Sequence, residues 1–116
     1  MQPLDLSLAL KATDGDLDLL HDVVEAFLEE YPTLLAELEP ALKAGDCAVV
    51  QRASHTIKGT LRLFGNVPSR ELAERLEEMG ASDSLQDAPK TYESLKKSLE
   101  SLRRSLVVAM KNLEVG

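Results

Sequence analysis

With 116 residues, 44% hydrophobic and 28% charged, the chain is expected to form one soluble domain around a single modest core. A formal net charge of −7 withholds the positive footprint that nucleic acid or an anionic membrane surface requires, and the apolar runs are too short to cross a bilayer. Scarce aromatics (Phe27, Tyr31, Phe64 and Tyr92, with no Trp) point to a Leu-, Ala- and Val-built helical core, and the lone Cys47, unable to form an internal disulfide, fits a reducing, cytoplasmic setting.

Residues 3–11 (PLDLSLALK) predict a short helix opening at Pro3. The TDGD run at Thr13–Asp16 predicts a turn in which Asp14 or Asp16 caps the next helix. From Leu17 one apolar face runs through Leu20, Val24, Phe27, Leu28, Tyr31, Leu35, Leu38 and Leu42. Pro32 removes a backbone donor and clashes with the carbonyl of Leu28, so a kink or short break is expected, with the two halves roughly collinear. Gly45 then Asp46 reads as helix stop followed by N-cap, which folds the next helix directly back. That helix is read as continuous from Asp46 to Gly65. Asn66 or Ser69 is expected to cap a fourth helix, with Pro68 in its first turn, Leu72, Ala73, Leu76 and Met79 on its buried side and Gly80 at its end. Ala81–Ala88 reads as a polar connector. Pro89 opens a last helix whose stripe (Tyr92, Leu95, Leu99, Leu102, Leu106, Ala109 or Met110, Leu113) keeps three-four spacing throughout. The expected fold is all-α: an antiparallel four-helix bundle with a short N-terminal accessory helix, residues 1–116 forming one domain.

The chemistry concentrates between Asp46 and Gly65 (DCAVVQRASHTIKGTLRLFG). Val50, Ala53, Ile57, Leu61 and Phe64 form the apolar stripe, and His55 falls roughly 170° from its middle at about 100° per residue. Its neighbours on that outer face are Gln51, Arg52, Lys58, Gly59 and Arg62. Gly59 costs about 1 kcal/mol relative to Ala in a helix interior. From Cys47 to Arg70 the chain carries Arg52, Lys58, Arg62 and Arg70 but no acid. His21, by contrast, lies on its helix flank beside Asp22 with Glu25 one turn on, and reads as a surface passenger.

Other chemistries fail on residue type or spacing. No HxxxH, ExxH or CxxC spacing supports a metal site. Cys47 and His55 stand about 12 Å apart along one helix, too far for a nucleophilic pair. Neither GxGxxG nor GxxxxGK[ST] is present to hold ATP. What remains is an exposed imidazole, a nucleophile near neutral pH, beside a cation and an open space through which another protein can approach. Attack on a phosphoryl group suits it, with Lys58 neutralising the phosphoryl oxygens and Arg52 and Arg62 reinforcing the field.

His55-Thr56-Ile57-Lys58-Gly59 resembles the HxxKG phosphorylation motif of histidine-containing phosphotransfer (HPt) domains of two-component phosphorelays. The FLEEYP-like segment at Phe27–Pro32, GD before the His helix, FG at Phe64–Gly65 and LE at Leu76–Glu77 agree with it. The resemblance implies that His55 is phosphorylated, that Lys58 and Gly59 assist, and that phosphate is exchanged with the aspartate of a response-regulator receiver domain, which supplies Mg²⁺. It implies no cofactor, no metal and no ATP-dependent activity of the chain's own. A sensor histidine kinase is the other implied partner, and the chain is expected to act as a monomer. The docking surface is expected on Gln51, Arg52 and Arg62 together with Phe27 and Tyr31 of the adjoining helix. Two alternatives remain: the substrate domain of a chemotaxis-type or hybrid kinase, and a helical binding module of the same fold that carries no phosphate. Ile57 stands where Leu is common, and Leu61–Arg62–Leu63 replaces small residues, so no specific partner is transferred.

Overall fold

A computed structural model describes residues 4–65 and 67–115. Five α-helices succeed one another, α1 (Ser7–Ala12), α2 (Leu17–Ala44), α3 (Cys47–Thr60), α4 (Pro68–Ala81) and α5 (Ala88–Val115), with a 3₁₀ turn at Leu61–Phe64, and no strand occurs among the described residues. Helix α2 packs on α3, α3 on α4, α4 on α5 and α5 back on α2, while the diagonal pairs do not meet. Short connectors reverse the chain at each step, so this closed ring is the expected antiparallel four-helix bundle. Both long helices outrun α3 and α4. Against the end where they do so, α1 lies on the 3₁₀ turn and α2, the accessory helix anticipated from residues 3–11. Pro3 itself lies outside the described residues.

Local chemistry sets the helix ends. Asp16 rather than Asp14 caps α2, its Oδ1 accepting from the Leu19 amide at 3.2 Å, whereas Asp14 sits at φ 52° inside the turn. Gly45 adopts the left-handed conformation (φ 69°, ψ 29°) and Asp46 Oδ1 accepts from the Val49 amide at 3.2 Å, so α2 stops and α3 starts within two residues.

The core is aliphatic, with Leu20, Leu38, Val50, Ile57, Leu61, Leu76, Leu95, Leu99 and Leu106 wholly enclosed. Several expectations need correcting. Helix α2 runs through Pro32, and also through Pro40, without the short break, and both prolines lie on its exposed side. Leu17 is exposed rather than part of the apolar face. The His-bearing helix changes to 3₁₀ at Leu61 instead of continuing to Gly65. Ser69 does not cap α4: Val67 holds that position, and the buried Ser69 hydroxyl bonds that of Ser98 on α5 at 2.7 Å. Asn66, the other expected cap, lies outside the described residues.

Gly80 has the largest structural consequence. It is the last residue but one of α4, at the helix end that the sequence predicts to within a residue, and a Cβ there would stand 2.7 Å from the Gln51 nitrogen and 2.8 Å from the Cys47 oxygen. Its missing side chain lets the α3 and α4 backbones approach closely. Gly80→Ala should therefore destabilise the bundle by about 2 kcal/mol despite the gain in helix propensity, since backbone cannot move aside cheaply. Denaturant unfolding of wild type and variant measures this; an unchanged midpoint would contradict the close contact.

Candidate functional site

Helix α3 turns two different faces outward and toward α4. Gln51, Arg52, His55 and Gly59 are exposed on the first, as their spacing predicted. A Cβ built on Gly59 meets nothing within 4 Å, so the space beside the imidazole is open. Arg62, in the 3₁₀ turn, is exposed and shares with Lys58 and Arg70 a groove of about 620 Å³ whose other wall carries Glu71 and Glu74. The side chain of His55 is 67% exposed.

Two expectations about this surface change. Phe27 and Tyr31 are buried, not available to a partner: their rings stack at 5.3 Å and Phe27 meets Phe64 edge-on at 5.1 Å. Tertiary packing turned the α2 aromatics inward, and they support the end of the His helix from behind. Lys58 is not free in solvent. Its side chain is only 26% exposed, and Nζ pairs with Glu77 Oε1 of α4 at 2.6 Å.

Glu77 is the residue that reasoning from sequence missed. Its second oxygen, Oε2, lies 2.6 Å from Nδ1 of His55, so one carboxylate holds both the imidazole and the lysine. The face read as acid-free within residues 47–70 thus receives its acid from another helix. A signal was present: Ala73, Leu76, Glu77 and Gly80 share one stripe of α4, and a lone acid in such a stripe calls for a partner.

Electrostatics then decide the tautomer. The Lys58 ammonium against Oε1, aided by the His55 hydrogen bond to Oε2, holds the Glu77 carboxyl below the usual carboxylate range against partial desolvation, so it is ionised at neutral pH. An ionised carboxylate only accepts hydrogen bonds, so the donor must be Nδ1–H. In the neutral ring the lone pair is therefore left on Nε2. His21 lacks this arrangement: its Nδ1 stands 3.9 Å from Glu25 on an exposed helix flank. Among the described residues His21, Asp22 and Glu25 are grouped closely enough to hold a metal ion, but they lie on α2 and include none of the residues around His55.

The fold and site define a helical-bundle domain that presents one carboxylate-tethered imidazole to solvent with a cation at its side. The Hpt domain family model matches residues 22–105, and the chain belongs to that family, the phosphocarriers of phosphorelays that work with receiver and kinase domains and have no ATPase activity of their own. Among solved structures it is similar to histidine-containing phosphotransfer protein B (HptB) from Pseudomonas aeruginosa PAO1, with a TM-score of 0.85 and 23% identity over 94% of this chain and 95% of that one, which shows a shared fold. No curated protein matches the sequence significantly. No helix among the described residues is long and apolar enough to cross a membrane.

Nitrogen-15 NMR of the neutral ring should show His55 as the Nδ1–H tautomer, and Glu77→Ala should shift it toward Nε2–H without loss of helical signal. Because the Glu77 pKa is lowered on folding, its stabilising contribution is complete above the ordinary carboxylate range and fades as pH falls through the lowered value. The stability gap between wild type and Glu77→Ala in denaturant should accordingly narrow below about pH 4. Gly59→Ala should raise stability by about 0.5–1 kcal/mol in the same measurement, opposite in sign to Gly80→Ala, because its Cβ enters open space.

Proposed function

We propose that the protein is a phosphorelay intermediate that accepts a phosphoryl group on Nε2 of His55 and returns it, exchanging it with the aspartate of a response-regulator receiver domain. The observation that carries this reading is the Glu77–Nδ1 contact, which leaves the nucleophilic lone pair on the exposed side of the ring. In the accepting direction Nε2 attacks phosphorus, the P–O bond of the aspartyl phosphate breaks, and the electron pair stays on the aspartate oxygen. No proton has to move, because Nδ1–H is already in place. Lys58 stands within reach of the incoming charge, and Arg52 and Arg62 add to the attracting field. Gln51 and Gly59 border the approach, and the absent side chain of Gly59 leaves room for the in-line geometry that phosphoryl transfer needs. Glu77, already engaged by Lys58 and His55, does not suit a Mg²⁺ ligand, so the metal belongs to the receiver.

Incubation with a panel of phosphorylated receivers should give acid-labile label on wild type and none on His55→Gln. Label on neither, across all receivers, would favour a binding module that carries no phosphate. Lys58→Ala should fold normally and transfer about tenfold more slowly, equivalent to about 1.4 kcal/mol of lost charge stabilisation. Stopped-flow transfer kinetics alongside circular dichroism check this, and a wild-type rate would remove Lys58 from the mechanism.

A further inference from the structure

The proton on Nδ1 matters again once phosphorus is attached. Attack by a neutral Nδ1–H ring yields a phospho-imidazolium, with a positive ring, a dianionic phosphoryl group on Nε2 and the Nδ1 proton retained. Discharge to water or to a carboxylate returns the N–P electron pair to Nε2. If Nδ1 still carries its proton, the group that leaves is a neutral imidazole; if that proton has been lost, it is an imidazolate, a far poorer leaving group. The residue facing Nδ1 therefore governs how easily the phosphoryl group departs. Here that residue is Glu77, 2.6 Å away and only 19% exposed.

Resting on the assignment of His55 as the phosphoryl acceptor, we propose that Glu77 is a positioning residue that keeps Nδ1 of His55 protonated through the phosphorylated state and so makes the phosphohistidine labile and readily discharged. Before transfer the carboxylate and the Lys58 ammonium neutralise each other. After transfer the carboxylate still faces Nδ1, across the ring from the phosphoryl group on Nε2, and its negative charge favours the retained proton.

Phosphoramidate phosphorylates exposed imidazoles with no protein donor, so the proposal can be tested apart from the relay reading. Wild type, Glu77→Ala and Glu77→Gln would be charged this way, each with Lys58 present and with Lys58→Ala. Loss of phosphate at His55 and at His21 would be followed by site-resolved mass spectrometry at pH 8, with circular dichroism confirming the fold. Glu77→Ala should lengthen the phospho-His55 half-life about tenfold, the change produced by one pKa unit of lost ring basicity. The effect should persist in the Lys58→Ala background, leave phospho-His21 unchanged, and remove the Nδ1–H signal of the phosphorylated ring in nitrogen-15 NMR. Glu77→Gln, which keeps an acceptor oxygen without its charge, should fall between. Equal half-lives at His55 would overturn the proposal. So would a lengthening seen only when Lys58 is present, since a released cation would then explain it. Failure of every receiver to label a wild type that behaves as described would reject the relay reading and leave this role of Glu77 standing.

Discussion

One carboxylate shared between an imidazole and an ammonium group is the constraint on which the site depends. With Oε1 on Lys58 and Oε2 on His55, Glu77 has both oxygens engaged at 2.6 Å. This pairing fixes the carboxylate's charge, and that charge in turn fixes which ring nitrogen bears the proton. His21 is also exposed, though less so, and its nearest carboxylate, Glu25, stands 3.9 Å from Nδ1, so nothing there holds one nitrogen as Glu77 holds Nδ1 of His55.

That shared contact exists only because α3 and α4 lie close. Gly80 admits the α3 backbone, and Glu77 stands one turn before it on the same stripe, level with the last turns of α3. Two glycines therefore serve opposite purposes. Gly80 is filled from outside by its neighbour's backbone, and Gly59 is left empty at a cost in helix propensity. The first glycine contributes to packing; the second is explained by access to the imidazole, which is where stability is commonly given up for function. Behind the site, Phe27, Tyr31 and Phe64 pack as an aromatic cluster under the point where α3 changes to a 3₁₀ turn, bracing the end of the helix that carries His55.

Much of the fold could be read in advance because helix faces and ends are short-range properties. The three-four spacing from Tyr92 to Leu106, the Gly45–Asp46 stop and start, and the placement of His55 opposite Val50, Ala53 and Ile57 each depend on residues within a few turns of one another. The misreadings came from effects that cross between helices. Ser69 looked like a cap but bonds Ser98 on α5. Gly80 was read only for the end of α4, which falls one residue later, and not for the close approach of Gln51 and Cys47 on α3. Phe27 and Tyr31 lay on an apolar face, and only the assembled bundle decided that they are enclosed and not offered to a partner.

An all-helical bundle and an outward-facing His55 with Lys58 and Gly59 one turn on follow from residue spacing alone, because helical periodicity converts spacing directly into direction. The state of that imidazole does not follow from spacing. Glu77 lies 22 residues further along the chain and reaches His55 across a helix–helix contact. Which of the two ring nitrogens is free to react is a property of that contact, and local periodicity carries no information about it.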